Sequence, residues 1–109
     1  MNKLTFPRPC LSMSCVAEYR YRISRRRLAV CRLWRMRSAD HPAAPITYAI
    51  GLESLRRRYL YCLGTDEARA LSLAQRIADE RLEPAHLGDV VADFLWAEEQ
   101  GSFTAAESE

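Results

Sequence analysis

Residues 46–96, ITYAIGLESLRRRYLYCLGTDEARALSLAQRIADERLEPAHLGDVVADFLW, decide the fold, because the hydrophobic period changes inside them. Up to Leu63 the pieces ITYAIGLE and RRRYLYCL are short, rich in aromatic and β-branched residues and turn-bounded, which marks two β-strands. Beyond Gly64, Ala70, Leu73, Ala74, Ile77 and Ala78 recur at helical spacing, and that stripe needs a surface to cover. Strands followed by helices give an α+β domain.

The two strands should form a hairpin through Ser54 and Leu55. No Asn-Gly or Asp-Gly pair fixes the turn, and Gly51 is the natural place for a bulge. Gly64 closes the sheet region. Thr65 or Asp66 caps the helix, with Asp66 and Glu67 where the helix dipole favours anions, and the helix should reach Arg81 or Leu82. Glu83-Pro84 then opens a second helix, since proline suits a first helical turn. Its buried stripe should be Leu87, Val90, Val91, Phe94 and Leu95, with Asp89 and Asp93 facing away, and it fades after Glu99.

Working back, ADHPAAP at 39–45 reads as a loop because each proline biases its predecessor out of the helical region. The segment SRRRLAVCRLWRMRS at 24–38 fits two periods: Leu28, Val30, Arg32, Trp34 and Met36 alternate, while Leu28, Cys31 and Trp34 also suit a helix. A strand is the preferred reading. AEYRYRI at 17–23 alternates cleanly and reads as a strand. The expected organisation is a flexible arm at 1–16, one domain at 17–98 and a flexible tail at 99–109. In the domain, an antiparallel sheet of three or four strands carries two C-terminal helices packed on one face.

At 109 residues there is room for one core. No apolar run reaches the length of a membrane span, and Pro7, Arg8 and Pro9 interrupt any export signal, so the expected location is cytoplasmic, with no membrane partner. Reduced thiols follow for Cys10, Cys15, Cys31 and Cys62, whose scattered spacing predicts no metal site. No cofactor is expected either. Nor is catalysis: the sequence has no nucleophile elbow, no phosphate-cradling glycine loop and no paired-carboxylate site. His86, Asp89 and Asp93 share one helical face, but acidic residues early in a helix are ordinary dipole partners.

Charge is strongly partitioned. Residues 1–63 hold 13 Lys+Arg against 3 Asp+Glu, and residues 64–109 hold 3 against 11, charges of +10 and −8. The candidate binding surface is the set Arg20, Arg22, Arg25, Arg26, Arg27, Arg32, Arg35 and Arg37, with Arg56, Arg57 and Arg58 on the hairpin, interleaved with tyrosines and Trp34. Two functional classes follow. The leading one is a small non-enzymatic interaction or regulatory module with a protein partner or a second copy of itself. The alternative is nucleic-acid binding through the arginine-rich strands, with guanidiniums on phosphates and aromatics on bases.

The segments YRYRIS, ITYAIGLE and LEPAHLGDVVADFL together resemble a family of small clostridial-type bacterial domains of no assigned function, over residues 19–96. The closing motif, Ser-Pro-x-His-Leu-x-Asp-Val-Val-x-Asp-Phe-Leu, is matched by Pro84, His86, Leu87, Asp89, Val90, Val91, Asp93, Phe94 and Leu95, with Glu83 in place of Ser. The chain departs from the pattern at Ala49, between Tyr48 and Ile50, and in a basic insertion at 25–44. The resemblance implies the same strands-then-helices order and assigns no function.

Overall fold

The computed structural model describes the backbone of residues 11–38 and 43–107 and the side chains of 12–38 and 43–97. Four strands, β1 (Leu11–Ser24), β2 (Arg27–Ser38), β3 (Thr47–Ser54) and β4 (Arg57–Gly64), form one antiparallel sheet in sequence order. Helix α1 (Glu67–Asp79), a 3₁₀ turn at Pro84–His86 and helix α2 (Leu87–Glu107) follow. The helices lie on one face, α1 over β1 to β3 and α2 against β4.

The core is the sheet's inner face pressed on two helical stripes. Across the strands Tyr21 sits opposite Ala29, Cys31 opposite Leu52, and Leu33 opposite Ile50, and all six are buried. Onto them α1 sets Ala70, Leu73, Ala74 and Ile77, and α2 sets Leu87 and Val91. Asp66 caps α1, its side chain accepting from the Arg69 N–H at 3.1 Å. The Tyr21 hydroxyl donates to the Leu82 carbonyl at 2.6 Å, tying β1 to the link between the helices.

The sheet has four strands because 27–38 is one of them: lying between β1 and β3, it pairs with both, and a helix there would leave the facing edges of β1 and β3 without partners. Several boundaries differ from the sequence expectation. Residues 11–16, expected within the arm, pair with β2 as part of β1, with a register shift between Cys15 and Ala17 that the alternation pattern hides; residues 1–10 lie outside the described residues. Helix α2 continues to Glu107, through most of the expected tail. Helix α1 stops at Asp79, and Arg81 turns the chain with a left-handed φ of 52°.

Gly51 is not a bulge. It pairs in register with Arg32 and Leu60, and the β3–β4 register shift falls between Tyr48 and Ala49. A Cβ on Gly51 would lie 3.3 Å from Trp34 Nε1 and 3.4 Å from Leu60 Cδ1, so the glycine leaves space for the indole to lie across the strand. The hairpin turns on Leu55 and Arg56, with Leu55 at φ 56°.

Candidate interaction surfaces

The register sorts the arginines. Arg20, Arg22 and Arg32 point away from the helices, Arg27, Arg35 and Arg37 have the opposite facing, and Arg25 and Arg26 form the β1–β2 turn. Since the sheet is a meander, that turn and the Leu55–Arg56 turn lie at the same end, which gathers Arg25, Arg26, Arg27, Arg56 and Arg57 there. The expected single basic surface is therefore divided among the helix-free face, the turn end, and the far end of β2, where Arg35 and Arg37 lie.

On the helix-free face the guanidiniums are largely matched. Glu18 accepts from Arg32 Nε at 2.8 Å and from Arg20 Nε at 2.9 Å. Arg32 also reaches Glu53 at 2.7 Å, and Arg58 lies 3.7 Å from the same carboxylate. The result is a row of alternating charge across all four strands. The bond from Arg32, then that from Arg20, holds the Glu18 carboxyl below its ordinary range. At the turn end, Arg27 holds Glu83 through two bonds and lowers its carboxyl likewise. Among the described residues, Arg25, Arg26, Arg35, Arg37, Arg56 and Arg57 have no carboxylate within ion-pair distance.

Around that row the helix-free face is apolar. Met13 lies opposite Met36, Cys15 opposite Trp34, and Gly51 opposite Leu60, all facing outward; Met13, Leu28 and Leu60 are 44%, 48% and 57% exposed. A shallow recess of about 330 Å³ opens between Met13, Trp34, Leu60 and Arg58. An antiparallel sheet with one solvated face ordinarily alternates apolar inward with polar outward; β1 keeps that pattern from Glu18 to Arg22, whereas β2 also turns Leu28, Val30, Trp34 and Met36 outward.

The closing motif does structural work. Pro84, Leu87 and Val91 are buried and Val90 and Phe94 half-buried, while His86, Asp89, Asp93 and Leu95 are exposed. The Arg69 guanidinium lies over the half-buried Phe94 ring, 5.0 Å from its centroid. Gly88 allows α2 to meet β4 closely, since a Cβ there would come 2.9 Å from the Tyr61 oxygen. No group of three or more His, Cys, Asp or Glu side chains is placed to hold a metal among the described residues.

Two features escaped the sequence reading: the pairing of Glu18 and Glu53 with the strand arginines, and the exposure of α2 at residues 95–97. Leu95 and Trp96 there are 38% and 62% exposed. The signal for the first was present in Glu18 and Glu53, the two carboxylates within the basic strands. No described helix is long and apolar enough to cross a membrane. Comparison of the chain with protein-family models, curated proteins and solved structures finds no match.

Proposed function

We propose that this chain is a non-enzymatic interaction module whose helix-free sheet face is a protein-docking surface, occupied by the outer part of α2 from a second copy. The observation that carries the reading is the apolar character of a face that no described element covers: Met13, Leu28, Trp34, Met36 and Leu60 around a self-matched charge row. Large apolar side chains gathered on one exposed face in this way mark an interaction site.

The choice of occupant rests on complementarity within the chain. Past Phe94, α2 exposes Leu95 and Trp96 and continues in sequence with Glu98 and Glu99, an apolar and acidic segment. The face it would meet combines apolar side chains with exposed Arg22 and with Arg20 and Arg58, the exposed arginines at the two ends of the charge row. Tryptophan, over-represented among residues that dominate binding energy, is the natural anchor. Two such contacts related by a two-fold axis close into a dimer.

Light scattering on eluting protein tests this. A concentration-dependent dimer is expected, lost in both Trp96→Asp and Leu60→Asp with melting of the monomer intact. A wild-type chain that stays monomeric at several hundred micromolar, or dimers that survive both substitutions, would refute it. A second reading, nucleic-acid binding, is favoured by one observation: the turn arginines Arg25, Arg26, Arg56 and Arg57 lack carboxylate partners among the described residues. Titration of labelled single-stranded and duplex nucleic acid at low salt tests it, with binding expected to weaken steeply as salt rises and to be lost in a triple Arg25, Arg26, Arg27 alanine variant.

A further inference from the structure

We infer that the recess at the arginine-bearing end of the sheet, on the helix side, is a binding site for a small organic anion: a phosphate or carboxylate head on a compact apolar body. The recess, of about 880 Å³, lies between the β3–β4 turn and the segment leading into α2. That is within the size range of small-molecule sites, about 300–1,000 Å³. Leu55, Tyr59, Pro84 and Ala85 give it apolar walls, and Arg27, Arg56 and Arg57 give it cations.

Charge selects the ligand's head. The one carboxylate in the wall, Glu83, is committed to Arg27 through both oxygens, at 3.1 and 2.6 Å. Arg56 and Arg57 therefore remain uncompensated, and a guanidinium fork fits phosphate and carboxylate oxygens in pairs.

A second, independent observation lies in the wall itself. Ser54 is 4% exposed and sits on the helix-covered face of the sheet, yet its hydroxyl has no hydrogen-bond partner; Arg27 Nε is also buried and unpartnered. Buried polar groups left unsatisfied are uncommon in native proteins, and one standard explanation is a missing ligand or water. Both residues line the same recess as the two unpaired guanidiniums and the apolar walls, which together offer polar and apolar contacts to one ligand.

The test is a titration of the ¹⁵N-labelled full chain, read by amide shifts, with phenyl phosphate, benzoate, inorganic phosphate and benzyl alcohol as separate probes. Saturable shifts are expected at Ser54, Leu55, Arg57, Tyr59 and Ala85 with phenyl phosphate or benzoate, and the stronger of the two identifies the head group. Inorganic phosphate and benzyl alcohol, each with half of the chemistry, should bind at least tenfold more weakly. A double Arg56→Ala, Arg57→Ala variant, whose remaining spectrum reports an intact fold, should also lose at least tenfold. Absence of saturable shifts at millimolar probe, or shifts unchanged in the double variant, would overturn the site. Tyr59 borders both recesses, but Ser54, Leu55, Arg56, Arg57 and Ala85 line this one and not the recess on the helix-free face, so either outcome leaves the docking reading to its own test.

Discussion

Arg27, the first residue of β2, holds Glu83, the residue before Pro84, by two parallel bonds: Nη1 to Oε1 at 3.1 Å and Nη2 to Oε2 at 2.6 Å. The pair joins the basic end of the sheet to the link between the helices across 56 residues of sequence. Its bond from Arg27 depresses the Glu83 carboxyl in the folded state. A depressed carboxyl adds stability that is complete above its unfolded value, 4.5, and is lost as pH falls through the lower folded value. Urea midpoints across pH 3 to 6 should therefore fall toward acid in the wild type and fall less in Glu83→Gln. Parallel profiles for the two would show that the pair adds nothing.

The two helical stripes differ in depth, and truncation should report it. Leu87 is fully buried, so Leu87→Ala should cost about 2–5 kcal/mol. Phe94 lies half-open under Arg69, so Phe94→Ala should cost about 2 kcal/mol, less than the 3–5 of an enclosed phenylalanine. Equilibrium unfolding of both variants decides it. A larger loss at Phe94 would mean that α2 sits deeper on the sheet than described.

Leu55 occupies a left-handed conformation at φ 56°, which costs an L-residue roughly 1–2 kcal/mol, and its side chain is 74% exposed, so little packing offsets that strain. Glycine relieves the strain but adds freedom to the unfolded chain, worth about 0.5–1 kcal/mol. Leu55→Gly should raise stability by about 0.5 kcal/mol, seen as a higher melting temperature. A lower one would show that Leu55 packs against its recess.

Some of this was legible in the sequence for physical reasons that can be named. The change of period at Gly64, the capping Asp66 and the Glu83-Pro84 start are local signals, and each falls where the backbone uses it. The status of 27–38 was not local: Leu28, Cys31 and Trp34 satisfy helical spacing, and pairing on both sides decides for a strand. A bulge at Gly51 failed because the glycine answers a tertiary demand, the Trp34 ring across the sheet. The arginines showed basicity but not its neutralisation, since Glu18 meets Arg32 only through the β1–β2 register, 14 residues apart.

The docking face also carries its own reporters. Cys15 and Cys62 are exposed, the first opposite Trp34 and the second opposite Ala49, and both face away from the helices. Cys31 lies in the core, where burial pushes its thiol up to about 12, and serves as the internal reference for unfolding. The measurement is the rate of alkylation at each cysteine, read by peptide mass, as protein concentration is raised at fixed reagent. If the face is covered by a second copy, labelling of Cys15 and Cys62 slows together with concentration, Cys31 stays unlabelled, and Trp96→Asp restores the fast rate at both. Rates at Cys15 and Cys62 that do not change with concentration would contradict the docking face.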